Sequence, residues 1–393
     1  MGEVPALGMV PSAARRLGDL WRRAATGPLP SVVGAVLLMG VLIAIIAPDP
    51  GAAVDALVTG SLTGRGLAES LQRSVPLIGL AVAYAYALRA GVLNIGGEGQ
   101  MVMGALAATV VALYVPGPAL IVVPAAYLAA ALVGGLWAAL AGVMFTRLAL
   151  PIMITSLLLN YPADSIASYL VRFPLKDPTS SMIATPMVPN AFDIPPIAAV
   201  GSVVDVRLAS LFGVDSPILL VTRNVNVSVV FVLALVVAVA FVNSRTRAGY
   251  ETGMLGRNAR FASYGGVNTR TTTLRTMVVS GAICGVVGAT IVFGSQYRLI
   301  DGAIVQTNYA WTALLVALLA GSGSIALLVT GFAFAAILAG GAALERSTGV
   351  SAQLANVTQA AIILLVSIRL ALPTSWGRRS RSSGTPTEAE PVP

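Results

Sequence analysis

Residues 302–344 read GAIVQTNYAWTALLVALLAGSGSIALLVTGFAFAAILAGGAAL, 43 consecutive positions without a charge. A surface helix of a soluble domain keeps one polar face for water, and this run has none to offer. A helix rises about 1.5 Å per residue, and a bilayer's hydrocarbon layer is about 30 Å thick, so one crossing takes about 20 residues. The run is too long for one crossing, and Gly321-Ser322-Gly323-Ser324 marks the break between two. The rest of the composition agrees. Of 393 residues, 56% are hydrophobic and 10% charged, where a soluble domain carries roughly 25% charged residues. The fold class is all-α, a polytopic transmembrane helical bundle.

Working outward, apolar runs at 76–88, 93–115, 120–145, 152–170, 227–242 and 277–293 read as further spans, with 31–47 before them and 347–368 after, about ten in all. The run at 31–47 follows a long arm, 1–29, with Arg15, Arg16, Arg22 and Arg23. That arm is unusually long for a cleavable signal, so the run is read as a retained anchor. Basic residues collect on cytoplasmic loops. Three segments are rich in arginine: the arm, 243–275, and the tail at Arg378, Arg379 and Arg381. Even numbers of spans separate them, so the N and C termini and segment 243–275 are expected to be cytoplasmic, and 172–226 extracytoplasmic. The membrane domain is 30–372, and the polar stretch 373–393 reads as a disordered cytoplasmic tail. An amphipathic surface helix is expected near 204–212.

Three counts exclude whole chemistries. Without histidine there is no Ser-His-Asp catalysis and no His-ligated metal. Gly321–Ser324 resembles a serine-protease turn that would need one. One cysteine, Cys284, forms no internal disulfide. The one lysine, Lys176, has neither the glycine-rich turn nor the following Ser or Thr of a P-loop. Any ATP-driven work therefore belongs to a partner, and no cofactor is expected in this chain. The net charge of +8 is explained by cytoplasmic loops facing anionic lipid rather than by nucleic acid.

Polar groups inside hydrocarbon are costly and mark a bundle interior or a water-filled path. The densest set is Gly91-Val92-Leu93-Asn94-Ile95-Gly96-Gly97-Glu98-Gly99-Gln100. Broken backbone is tolerated in a membrane only where protein or water covers it. Two readings stand: a break lining a translocation path, with Asn94, Glu98 and Gln100 exposing polar groups, or a loop capping the next span, with Glu98 at its positive end. A second set, Thr155, Ser156, Asn160, Tyr161 and Asp164, lies on the fifth span, where Pro162 predicts a kink. It suits a solute path or hydrogen bonding between helices. A small-xxx-small pattern, Gly281 to Gly285, predicts close helix packing. On the arginine-rich loop, 258–264 reads as a short exposed helix flanked by glycines. It suits docking into another protein's groove, or lying on lipid.

At these residues a resemblance is plain. The stretch from Gly91 to Gln100, followed by Met101 and Gly104-Ala105, resembles the signature of permease subunits of bacterial ABC importers for simple sugars and nucleosides. The Asn160-Tyr161 pair is similar to a second stretch of that family. Gly256-Arg257-Asn258-Ala259 through Ala262 to Gly266, followed by Ser280-Gly281-Ala282 and Gly285, resembles its coupling loop and next span. Together these cover roughly residues 30–372. Ile152, Gly253 and Thr312 depart from the residue types usual in the family. The resemblance implies a cytoplasmic ATP-binding cassette ATPase that binds the ATP and an extracytoplasmic substrate-binding lipoprotein. It also implies a shorter second permease subunit as heterodimer partner, and a location in a bacterial plasma membrane. The solute path is assigned to Asn94, Glu98, Gln100, Asn160 and Tyr161, and coupling to Gly256, Arg257, Asn258, Ala259, Ala262 and Gly266. The rival reading is an ion-coupled secondary transporter, for which Glu98 and Asp164 are the available intramembrane acids.

Overall fold

The computed structural model of the chain describes Val41 and residues 49–348 other than 215 and 322. The expected arm, first span, tenth span and tail lie outside the described residues, apart from Val41, Ser347 and Thr348. Among the described residues the chain is helical, with two isolated β-bridges, Ala184 to Ile300 and Pro196 to Asn226, and no strand. Among the described residues, five helices are long and apolar enough to cross a membrane: Gly64–Arg89, Ala119–Leu148, Ser228–Arg245, Thr269–Gln296 and Ser324–Ser347.

The chain enters α1 (Pro50–Leu62) with Asp49 as N-cap, its Oδ1 accepting from the Ala52 N–H at 3.0 Å, and Pro50 in the first turn. Helix α2 (Gly64–Arg89) begins three turns earlier than the apolar run starting at 76 predicts. Arg65, Glu69 and Arg73 hide that start in the sequence. In the structure Arg73 reaches Glu69 one turn away at 2.7 Å, so two of the three charges answer each other. Pro76 lies inside the helix, and burial is nearly continuous from Ser74 to Ala87.

Helices α3 (Gly97–Tyr114), α4 (Ala119–Leu148) and α12 (Thr269–Ile291) pack together as the central layer. On α4 the usual soluble pattern is inverted. Leu128, Leu132, Leu136 and Leu140 face outward, and Ala126, Ala130, Gly134 and Ala138 face inward. Lipid is as apolar as leucine, so helices gain by letting backbones approach over small residues. At Gly285 a Cβ would lie 2.1 Å from the Ala130 carbonyl oxygen, and at Gly104 a Cβ would lie 2.3 Å from Gly285 Cα. Three helix backbones thus meet at one point.

The expected fifth span is two helices, α5 (Ile152–Leu158) and α6 (Asn160–Arg172), broken at Leu159. Pro162 has no N–H, and its ring crowds the carbonyl four residues back, that of Leu158. The Trp137 indole N–H bonds the Leu159 carbonyl at 3.2 Å. The segment that follows holds a 3₁₀ turn (Asn190–Phe192), α7 (Val203–Phe212) and α8 (Pro217–Asn224). The expected surface helix is α7, with Ser202 as N-cap. Arg223 of α8 grips Asp205 of α7 with Nε at 2.7 Å and Nη2 at 3.1 Å. Those bonds, with one from the Gly201 N–H, hold the Asp205 carboxyl below its usual range.

Helix α9 (Ser228–Arg245) leads to α10 (Arg247–Arg257) and α11 (Ala259–Tyr264). Helix α12 runs on through a π-helical turn, Val292–Gln296, that ends at Tyr297 with φ 56°. The run 302–344 differs from expectation. It folds as a single turn α13 (Ala303–Gln306), then α14 (Tyr309–Ala320), then α15 (Ser324–Thr348). Helix α14 has 12 residues and reaches about 18 Å. The helix expected as the eighth span is therefore, taken alone, shorter than a full crossing, because Asn308 and Gly321 both turn the backbone to positive φ. Helix α15 is a full-length span and packs on α1 and α2.

Candidate functional site

The motif 91–100 begins as a helix stop. Gly91 takes φ 72°, its N–H bonds the Leu88 carbonyl at 2.9 Å, and the Val92 N–H bonds the Ala87 carbonyl at 3.1 Å. This is the paired closure that left-handed glycine allows at a helix C-terminus. The four residues before Gly97 are not helical, and side chains satisfy them. Asn94 donates to Gln100 Oε1 at 2.9 Å and to Ser280 Oγ at 3.0 Å. Its Oδ1 accepts from Gln100 Nε2 at 3.0 Å and from the Gly96 N–H at 3.1 Å. The Ser280 hydroxyl in turn donates to the Ala83 carbonyl at 2.9 Å. Asn160 accepts from the Gly99 N–H at 2.9 Å and donates to the Ile95 carbonyl at 3.2 Å, while Ser156 Oγ accepts from the Ile95 N–H at 3.1 Å.

The five residues assigned to a path thus divide. Asn94 and Gln100 are 1% exposed and Asn160 is buried, all three bonded into one knot joining α2, α3, α6 and α12. Glu98 is half-buried in the first turn of α3, and Tyr161 is 70% exposed on α6.

The segment assigned to coupling is compact. Asn258 caps α11, its Oδ1 accepting from the Phe261 N–H at 3.0 Å. Ala262 is fully buried, while Ala259, Phe261 and Tyr264 face out, Tyr264 at 90% exposure. Gly266 ends the turn at φ 80°. At Gly256 a Cβ would stand 2.1 Å from the Arg89 carbonyl oxygen and 2.9 Å from the Gly91 nitrogen. The segment therefore sits backbone to backbone on the end of α2, directly before the motif. Arg257 is exposed beside it. Glu251 fastens α10 to α12, accepting from Arg247 at 2.8 Å and from Arg275 at 3.0 Å. Burial alone would raise the Glu251 carboxyl, but those two guanidinium hydrogen bonds outweigh it and leave it below the usual range. The clamp is therefore fully formed at neutral pH and is lost only as pH falls through that lowered value.

Sequence reasoning missed a third feature. At the opposite end of α2 a cavity of about 400 Å³ opens between α2, α9, α12 and α14. Its polar residues come from segments more than 200 positions apart, such as Gln72 and Tyr309. The signal that could have found it is local: Glu69, Gln72 and Arg73, one to two turns before Pro76, heading an otherwise apolar stretch.

The profile of the family described as branched-chain amino acid transport system, permease component, matches residues 66–367. The chain is 33% identical over 353 residues to the glucose ABC transporter permease protein of Haloferax volcanii, covering 90% of this chain and 89% of the relative. It is 27% identical over 319 residues to the guanosine ABC transporter permease protein of Bacillus subtilis, covering 79% and 83%. It is 28% identical over 351 residues to the probable riboflavin import permease protein of Treponema pallidum, covering 89% and 87%. The chain belongs to this family: it is a multi-pass membrane permease component of an ABC transport system, and not an enzyme.

Proposed function

We propose that the chain carries a nucleoside, with a simple sugar as the next choice, inward across the membrane by alternating access. The full subunit has about ten spans with both termini cytoplasmic. A separate ATPase dimer drives it from the cytoplasmic side. It stands beside a shorter second permease and receives solute from an extracytoplasmic binding lipoprotein, which sets most of the selectivity. Glu98 and Tyr161 face the path, and Asn94, Gln100 and Asn160 hold the shape of its wall. The named solutes of the relatives support an uncharged polar cargo. The ion-coupled alternative has no such support.

The observation that carries the coupling role is the capped helix α11, with Phe261 and Tyr264 turned outward. Ala259→Glu, or a bulky charged residue at Gly266, should abolish ATPase co-purification and uptake while membrane insertion stays normal. Normal assembly in both variants would instead make α11 a helix resting on lipid. For the path, Glu98→Gln should lower uptake severalfold in proteoliposomes of the assembled transporter. Loss of assembly in that variant would assign Glu98 to capping α3 alone.

A further inference from the structure

The cavity at the end of α2 far from the coupling segment has a composition that selects a ligand. Glu69 lies 20 residues before Arg89, so the cavity is about 30 Å from the contact with Gly256. On the orientation proposed above, this is the extracytoplasmic side. Its volume of about 400 Å³ falls within the range of small-molecule sites, about 300–1,000 Å³.

The charges in its wall are already engaged. Glu69 accepts from Arg73 at 2.7 and 3.1 Å through one oxygen and from Arg346 at 3.2 Å through the other. No carboxylate is left for a cationic solute. The remaining cation, Arg65, is exposed at the rim. Besides these charged groups the wall carries neutral ones: the Gln72 amide, the hydroxyls of Ser228, Thr290 and Ser295, each already bonded within the protein and with acceptor capacity to spare, and the half-buried Tyr309.

The backbone is also arranged for it. Pro76 brings no N–H to the carbonyl of Gln72, one turn back, and both residues line the cavity. The π-helical turn after α12 re-aims the Gly294 carbonyl, which takes the Asn226 amide at 2.7 Å and Gln72 Nε2 at 3.5 Å. Such turns interrupt helices mostly at functional sites.

We infer that this cavity is where the permease receives its solute, and that it takes an uncharged ring bearing several hydroxyl or carbonyl groups. A solute of this kind pairs with amide and hydroxyl groups and needs no countercharge. This rests on the reading of the chain as an importer subunit.

The single native cysteine, Cys284, is fully buried, so an introduced thiol can be read alone. Arg65→Cys at the exposed rim, with Asn224→Cys, another exposed lining residue, as the second variant should the first fail to fold, is placed in the assembled transporter in right-side-out vesicles. A membrane-impermeant maleimide should label it from outside and stop uptake that was present before labelling. Guanosine, glucose or riboflavin, whichever is transported, should slow the labelling, and guanosine monophosphate should not. Labelling from the cytoplasmic side only, unchanged uptake after full labelling, or protection by the monophosphate or by none of the uncharged probes would overturn the assignment. ATP-dependent uptake by the unsubstituted transporter in the same vesicles separates the two readings. If it persists while the cavity test fails, the permease reading stands. If it is absent, that reading fails as well.

Discussion

Gly285→Val should leave little folded protein in a detergent extract. A Cβ at this position would lie 2.1 Å from the Ala130 carbonyl oxygen and 3.2 Å from Gly134 Cα, and Gly104 approaches Gly285 so closely that its own Cβ would lie 2.3 Å from Gly285 Cα. These neighbours are main chain, so no rotamer change relieves the contact. Overpacking a core commonly costs about 1–3 kcal/mol. Here three helices must separate together, so the loss should be at the top of that range or beyond. Leu132→Ala is the control, since Leu132 sits on the outward face of α4. Size-exclusion profiles and thermal denaturation of the two variants decide the matter. Wild-type stability in Gly285→Val would mean that the three-helix contact is looser than described.

Asn94→Leu should be the next most damaging change. It strands the Gln100 amide and the Gly96 N–H, both buried and bonded to Asn94, and takes from Ser280 the donor to its oxygen. A stranded buried group costs about 1–3 kcal/mol, while hydrogen bonds between membrane helices average only about 0.6 kcal/mol. A loss of about 2–4 kcal/mol is expected. The stronger test is a cycle with Gln100→Leu. Removing both amides leaves fewer unpaired groups than removing one, so the double variant should be about 1–2 kcal/mol more stable than additivity gives. Strict additivity would show that the two amides do not act as one unit.

Much of this bundle can be read from composition, because a helix in lipid needs only length and the absence of charge. The spans at 120–145, 227–242 and 277–293 emerge as α4, α9 and α12 on that ground. Two errors share a cause. Hydropathy cannot tell a full crossing from α14, whose partial length is set by Asn308 and Gly321. Nor does it credit the start of α2, where Glu69 and Arg73 are compatible with burial only as a pair. The motif at 91–100 stands out because glycine and amide groups are rare amid hydrocarbon. What it could not disclose was which side chains the amides would face. Ser156, Asn160 and Ser280 meet it from positions 61 to 186 residues away, and that is a property of packing. The short helix α11 was legible from its flanking glycines, with Asn258 standing as its cap rather than inside it. Its seat on Gly91 was not, because a contact between two main chains carries no side-chain signature.

That seat has a mechanical consequence. Most contacts between elements pass through side chains, which yield before they transmit. Gly256 bears on Arg89 and Gly91 with nothing interposed, so any displacement of the loop meets the end of α2 directly. Helix α2 then behaves as a shaft whose weakest rung is the missing hydrogen bond at Pro76. A bend in α2 would cost least there, at the turn that walls the far cavity.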